Sequence, residues 1–115
     1  MNKDIDIVIY GATGFTGQLC VKYFQSQSLE IKWAIAGRNL EKLQSVSKNF
    51  APDIEILVAD SDDKAGLKDI CSRSKVVLST AGPFHRYGSK LVKACVENGS
   101  HYVCLLYTSD AADDL

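Results

Sequence analysis

Ile5-Asp6-Ile7-Val8-Ile9-Tyr10-Gly11-Ala12-Thr13-Gly14-Phe15-Thr16-Gly17 joins a mostly apolar, β-branched run to a heptad of the form G-x-x-G-x-x-G. The run Ile5 to Tyr10 reads as a strand, and the residues from Phe15 to about Gln27 read as a helix, so the glycines sit in a strand-to-helix turn. Each glycine has a distinct physical use there. Gly11 permits a tight exit from the strand. Gly14 has no Cβ, so a pyrophosphate can approach its backbone. Gly17 lets the helix pack close to the sheet. The first N–H groups of the helix and the positive end of its dipole then face the phosphates. Thr13 and Thr16 add hydroxyl donors, and Phe15 opens the helix. The competing reading is an ordinary turn whose glycines serve chain reversal alone. The strand before the heptad and the helix after it favour a dinucleotide site.

Outward from this turn the chain alternates strand and helix. Further strands are expected at Ile31–Ala36, Ile54–Ala59, Lys75–Thr80 and from Tyr102-Val103. The first helix carries Phe15, Leu19 and Tyr23 on one stripe. Asn39 is placed to cap a helix with Leu40, Leu43, Val46 and Phe50 on its apolar face, closed by Pro52. Asp62 is placed to cap a third helix carrying Leu67, Ile70 and Cys71. A fourth runs from Gly88 to Asn98 with Leu91, Val92, Cys95 and Val96, and Gly99 stops it. Alternating strands and helices imply parallel strands joined by right-handed crossovers. The near-continuous apolar strands suit a sheet covered on both faces. The expected fold is therefore α/β: a Rossmann-like, doubly wound parallel sheet, truncated after about five strands.

The ends of the later strands add to the site. The second strand leads into Gly37-Arg38-Asn39. An NAD-selective sheet places Asp or Glu about 20 residues past the glycines, to accept from the ribose hydroxyls. Here Arg38 stands in that region, and a guanidinium can pair bidentately with a 2′-phosphate and stack on adenine. NADP is expected as cofactor over NAD, against the alternative that Arg38 is a solvated loop charge. Asp60 ends the third strand and either reaches the adenine amine or caps the following helix. The fourth strand leads into Thr80-Ala81-Gly82-Pro83-Phe84, whose small residues Ala81, Gly82 and Pro83 let a cofactor cross the carboxyl edge of the sheet.

Composition excludes several classes. The 115 residues suit one domain, and 46% hydrophobic residues can fill a core. Thirteen Lys and Arg against fourteen Asp and Glu leave a net charge of −1, so no nucleic-acid partner is indicated. No apolar run is long enough for a transmembrane segment, and no secretory leader is expected after Met1-Asn2-Lys3-Asp4. Cys20, Cys71, Cys95 and Cys104 form no C-x-x-C pair, and with two His no metal site is expected. Reduced, packed thiols are the expected state. No catalytic residue is assigned. His85, Tyr87 and Lys90 follow the fourth strand, but Tyr87 and Lys90 lack the Y-x-x-x-K spacing of short-chain dehydrogenases, and His101 is expected to be structural.

Taken together, Tyr10 to Gly17, Trp33-Ala34-Ile35-Ala36-Gly37-Arg38, Ala81-Gly82-Pro83-Phe84 with Tyr87-Gly88, and Gly99-Ser100-His101-Tyr102-Val103 resemble the saccharopine dehydrogenase-like oxidoreductases. That family includes the trans-acting enoyl reductases of lipid biosynthesis. Its true saccharopine reductases are less similar, because their first turn reads G-A-G-x-x-G whereas Thr13 intervenes here. The resemblance implies an NADP-binding domain followed by a larger substrate domain, and hydride transfer to a lipid-like, carbonyl or enoyl substrate held by that second domain. It implies that Gly11, Thr13, Gly14, Phe15, Thr16 and Gly17 hold pyrophosphate, that Arg38 holds the 2′-phosphate, and that Ala81 to Pro83 flank the nicotinamide. It also implies a cytoplasmic-side location, with animal relatives associated with lipid droplets and membranes. A non-catalytic dinucleotide-binding sensor or scaffold is the alternative, since fold does not guarantee chemistry.

Family members continue past Tyr102-Val103 with Asp and a special loop, whereas this chain reads Cys104-Leu105-Leu106-Tyr107-Thr108-Ser109-Asp110-Ala111-Ala112-Asp113-Asp114-Leu115. That string resembles a translated sequencing adapter. The expected organisation is a dinucleotide-binding domain over 1–103, a non-native tail over 104–115, a substrate domain absent from this chain, and no turnover by this piece alone.

Overall fold

The computed structural model describes residues 3–27, 30–60, 62–80 and 89–104. Strands built from Ile, Val, Ala and Leu alternate with helices: β1 (Ile5–Tyr10), α1 (Phe15–Ser26), β2 (Trp33–Gly37), α2 (Leu40–Phe50), β3 (Glu55–Val58), α3 (Lys64–Arg73), β4 (Ser74–Ser79), α4 (Ser89–Asn98) and β5 (His101–Cys104). The five strands form one sheet in the order β3-β2-β1-β4-β5. Every neighbouring pair is parallel, with Tyr10 level with Ala36 on one side and Ser79 on the other. The chain runs outward from β1 to β3, then returns across β1 to build β4 and β5. The reversal falls between β1 and β4, and a sheet of this kind receives ligands outside the carboxyl ends of the strands at that point.

Side chains alternate across the strands, and both faces are covered. Val8, Tyr10, Ala34, Ala36 and Val77 pack with Leu67, Ile70 and Leu91 of α3 and α4. Ile9 and Ile35 face the other way, with Val21 of α1 and Leu43 and Val46 of α2. This double covering is why the strands read as continuous apolar runs rather than alternating ones.

Two local expectations are corrected. The stripe Phe15, Leu19 and Tyr23 does not face the core: these residues are 67%, 49% and 61% exposed. The inward face of α1 is Gly17 and Val21, flanked by half-buried Cys20 and Phe24. Gly17 decides this, because its missing Cβ lets α1 lie against Ala12, and hydrophobic periodicity is blind to a glycine at the point of contact. The cap of α3 is Asp63 rather than Asp62; its side chain accepts from Gly66 N at 2.9 Å. An Asp60 turn draws Asp62 out of that role, with Asp62 N donating to Asp60 Oδ1 at 3.3 Å and Asp63 N to Asp60 O at 3.0 Å. The Asp62 carboxylate instead takes Lys90 Nζ at 2.8 Å. Asn39 caps α2 as expected, accepting from Lys42 N at 3.0 Å.

Candidate dinucleotide-binding site

The turn after β1 is held from three sides. Gly11 N and Ala12 N donate to Ala36 O of β2 at 2.8 and 3.3 Å, and Gly14 N donates back to Gly11 O at 3.1 Å. From β4, Thr80 N donates to Tyr10 O at 2.8 Å, and its hydroxyl lies 3.0 Å from both Tyr10 O and Gly11 O. From α1, Gln18 Nε2 donates to Thr13 O at 2.8 Å. Sequence reasoning did not single out Thr80 and Gln18 as site residues. The only trace of them there is a polar residue leaving an apolar strand and another in the first turn of a helix.

The three glycines separate by cause. Gly11 has φ +86, a left-handed conformation that side chains disfavour. A Cβ on Gly17 would come within 2.6 Å of Ala12 Cα, so close packing of α1 requires glycine there. Gly14 is different. Its backbone is extended (φ −78, ψ 173), and among the described residues a Cβ would meet nothing nearer than Gly11 O at 3.6 Å. Packing among the described residues does not require a glycine at that position.

The opening of α1 differs from those of α2 and α3. Its N-cap is Gly14, which has no side chain to cap with, whereas the side chains of Asn39 and Asp63 cap the other two. The intrahelical ladder begins with Gln18 N to Gly14 O at 2.9 Å. The amides of Thr16 and Gly17 precede it, in the place where helices bind anions. Gly14 and Phe15 are exposed, while Thr13 and Thr16 are half-buried.

The ends of β2 and β3 adjoin this turn. Gly37 is level with Val58, and Ala59 N donates to Gly37 O at 2.9 Å, so Arg38 and Asp60 leave adjacent strands, both exposed. Beneath them the buried Tyr10 hydroxyl donates to Ala59 O at 2.9 Å. Burial pushes the Tyr10 phenol up to about 12; Asp60 adds to the rise and Arg38 opposes it. One phenol thus feels both charges. Asp60 also organises the following turn through Asp62 N, as described above. Ala81, Gly82 and Pro83 lie outside the described residues, as do His85 and Tyr87. Lys90 lies in α4, engaged by Asp62. His101 begins β5, exposed and level with Val76.

A parallel sheet with its order reversing at β1, a left-handed glycine leaving that strand, and a glycine-capped helix start beside the reversal define a Rossmann-type dinucleotide-binding domain. The family model described as the saccharopine dehydrogenase NADP binding domain matches residues 7–114, and the chain belongs to that family. NADP is accordingly its cofactor. The chain is 37% identical over 106 residues to a trans-acting enoyl reductase of Mycobacterium ulcerans (strain Agy99), covering 90% of this chain and 25% of that one. It is 38% identical over 107 residues to a lipid droplet localized protein of Caenorhabditis elegans, covering 85% and 25% respectively. It therefore spans about a quarter of the length of these relatives. Among solved structures, apo saccharopine dehydrogenase (L-Glu forming) from Saccharomyces cerevisiae superposes with TM-score 0.74 at 21% identity, over 96% of this chain and 24% of that one. AtPrR2 with NADP+ and (+)pinoresinol superposes with TM-score 0.66 at 17% identity, over 89% of this chain and 36% of that one. Likeness at these identities shows the shared fold. None of the described helices is long and apolar enough to cross a membrane.

Proposed function

We propose that Gly11, Thr13, Gly14, Phe15, Thr16 and Gly17 hold the pyrophosphate of NADPH, that Arg38 binds its 2′-phosphate, that Asp60 accepts from the adenine amine, and that Ala81, Gly82 and Pro83 flank the nicotinamide. The observation that carries this reading is the start of α1. Its N-cap is a glycine, which offers no capping side chain of its own, and among the described residues nothing crowds the place of a Cβ there. A pyrophosphate would accept from the amides of this helix start and benefit from the helix dipole. Arg38, exposed at the end of β2, offers a planar fork of donors suited to a phosphate.

When bound, the nicotinamide supplies the hydride. The chain's own residues orient it: the turn fixes the phosphates, and Thr80 ties β4 to that turn so that the crevice at the strand reversal keeps its width. For the longer protein that the relatives represent, we propose reduction of an enoyl or carbonyl group on a lipid-like substrate, held by residues beyond this domain. The enoyl reductase and lipid droplet relatives support that substrate class. The proposed location is the cytoplasmic face of a lipid droplet or membrane.

Titration calorimetry with NADPH and NADH tests the cofactor assignment. NADPH should bind the unmodified protein at least tenfold more tightly than NADH, and Arg38→Asp should erase or reverse that preference, consistent with loss of a charge-assisted pair. Equal affinities before substitution would remove Arg38 from the site.

A further inference from the structure

Cys71 in α3 and Cys95 in α4 are 24 residues apart in the chain, yet their Sγ atoms lie 3.3 Å from each other. Both are fully buried, and both are free thiols. A disulfide bond is about 2.05 Å long, so the sulfurs at 3.3 Å must approach by about 1.2 Å to be joined. The pair lies away from the dinucleotide site. Cys71 O accepts from Lys3 Nζ at 2.8 Å, and Lys3 lies two residues before the start of β1, at the edge of the sheet opposite the glycine turn.

We propose that Cys71 and Cys95 form a redox-active dithiol, a modification site at which a hydroperoxide converts the two thiols into an intrachain disulfide fastening α3 to α4. The Cys71 thiolate attacks one peroxide oxygen; the O–O bond breaks, leaving a sulfenic acid at Cys71 and, after protonation, one water. The Cys95 sulfur then attacks the Cys71 sulfur. The S–S bond forms, the S–O bond breaks, and the oxygen leaves with the Cys95 proton as a second water. Two thiols are oxidised by the loss of two electrons and two protons, and hydrogen peroxide is reduced to two waters.

The roles follow from the surroundings. The thiol of Cys95 beside Cys71 stabilises a thiolate at Cys71, and the Lys3 ammonium adds to that, holding Cys71 below the ordinary thiol range. Cys95 is pushed up by its partner and by burial. Lys3 also controls access. Its ammonium bonds the carbonyls of Cys71, Ser74 and Asn98 at 2.8, 3.2 and 2.8 Å, tying the chain start to the ends of both helices. Oxidation therefore waits on local opening at this end and is slow.

The test is prolonged treatment of the 115-residue protein with hydrogen peroxide, alkylation under denaturing conditions, and peptide mapping by mass spectrometry. The expected product is one cross-linked species joining Cys71 to Cys95, lighter by two hydrogens and restored by dithiothreitol. It should show a raised melting temperature, because the staple restricts the unfolded chain. Overturning results are full alkylation of both residues after oxidation, sulfinic acid at either in place of the cross-link, or pairing of either with Cys20 or Cys104. In Cys95→Ser, whose hydroxyl can still donate to the Cys71 sulfur but cannot form the disulfide, dimedone should label Cys71 after peroxide; a folded variant that takes no label would overturn the assignment of Cys71 as the attacking thiol.

Discussion

Gly17 and Gly14 carry the same side chain three positions apart, and replacing them should have opposite consequences. A methyl at Gly17 meets the backbone of Ala12 at 2.6 Å, and neither partner is a flexible side-chain end. Gly17→Ala should cost about 1–3 kcal/mol of stability, the usual range for overpacking, read as a lower urea midpoint at unchanged slope. At Gly14 the extended backbone suits any N-cap residue. Gly14→Asp should leave stability equal or raised by a few tenths of a kcal/mol, since Asp is a better cap than Gly. The same carboxylate would face the pyrophosphate and should weaken NADPH binding by about 100-fold, within the several kcal/mol of a like-charge juxtaposition. Calorimetry on one sample and thermal melting on another separate the two effects. A Gly14→Asp protein that keeps its NADPH affinity would show that the phosphates lie elsewhere.

Helices in this fold take their orientation from small residues as much as from large ones. α1 turns Gly17 and Val21 inward, and Phe24 packs on Trp33 with ring centroids 5.3 Å apart. The larger apolar residues Leu19 and Tyr23 remain 49% and 61% exposed. Leu19→Gln should therefore change stability by no more than about 0.5 kcal/mol, as for other surface substitutions. Val21→Ala, at a fully buried position, should cost about 2 kcal/mol through lost transfer energy and the cavity left behind. Chemical denaturation of the two variants checks the order. The reverse ranking would restore the stripe that simple periodicity suggests.

Across the whole molecule the two edges of the sheet divide their duties. At the carboxyl edge, the glycine turn opens into α1 through exposed Gly14 and Phe15. At the amino edge, an ion-pair cluster joins separate elements: Arg73 Nη2 lies 2.8 Å from Asp4 and 2.7 Å from Glu55, and Lys32 approaches the same two carboxylates at 3.7 and 3.6 Å. The hydrogen bond from Arg73 holds the Asp4 carboxyl at about 2, below its ordinary 3.8. A pKa depressed in the folded state contributes stability above the unfolded value, and that contribution is lost as pH falls through the folded value. Melting temperature should thus fall between about pH 4 and pH 2, and Asp4→Asn should flatten the slope in that window. A slope unchanged by Asp4→Asn would assign acid sensitivity to other carboxylates. Asp6, whose pKa is lowered chiefly by the Lys32 backbone N–H and then by the Lys75 side chain, is the first of these.

Local patterning alone determined the strand–helix alternation, the glycine turn from β1 into α1 at Gly11 to Gly17, the placement of Arg38 after β2, and membership of an NADP-binding family. The first three depend on residues within a few positions of one another, where backbone propensity and spacing act directly, and the family resemblance combines several such motifs between Tyr10 and Val103. The tertiary structure decided which face of α1 is buried, that Asp63 rather than Asp62 caps α3, that Thr80 closes on Tyr10 and Gly11, and that Cys71 meets Cys95. Those outcomes depend on groups brought together across as many as 70 positions. Their partners are chosen by sheet order and helix packing, and neither hydrophobic period nor motif spacing encodes that choice.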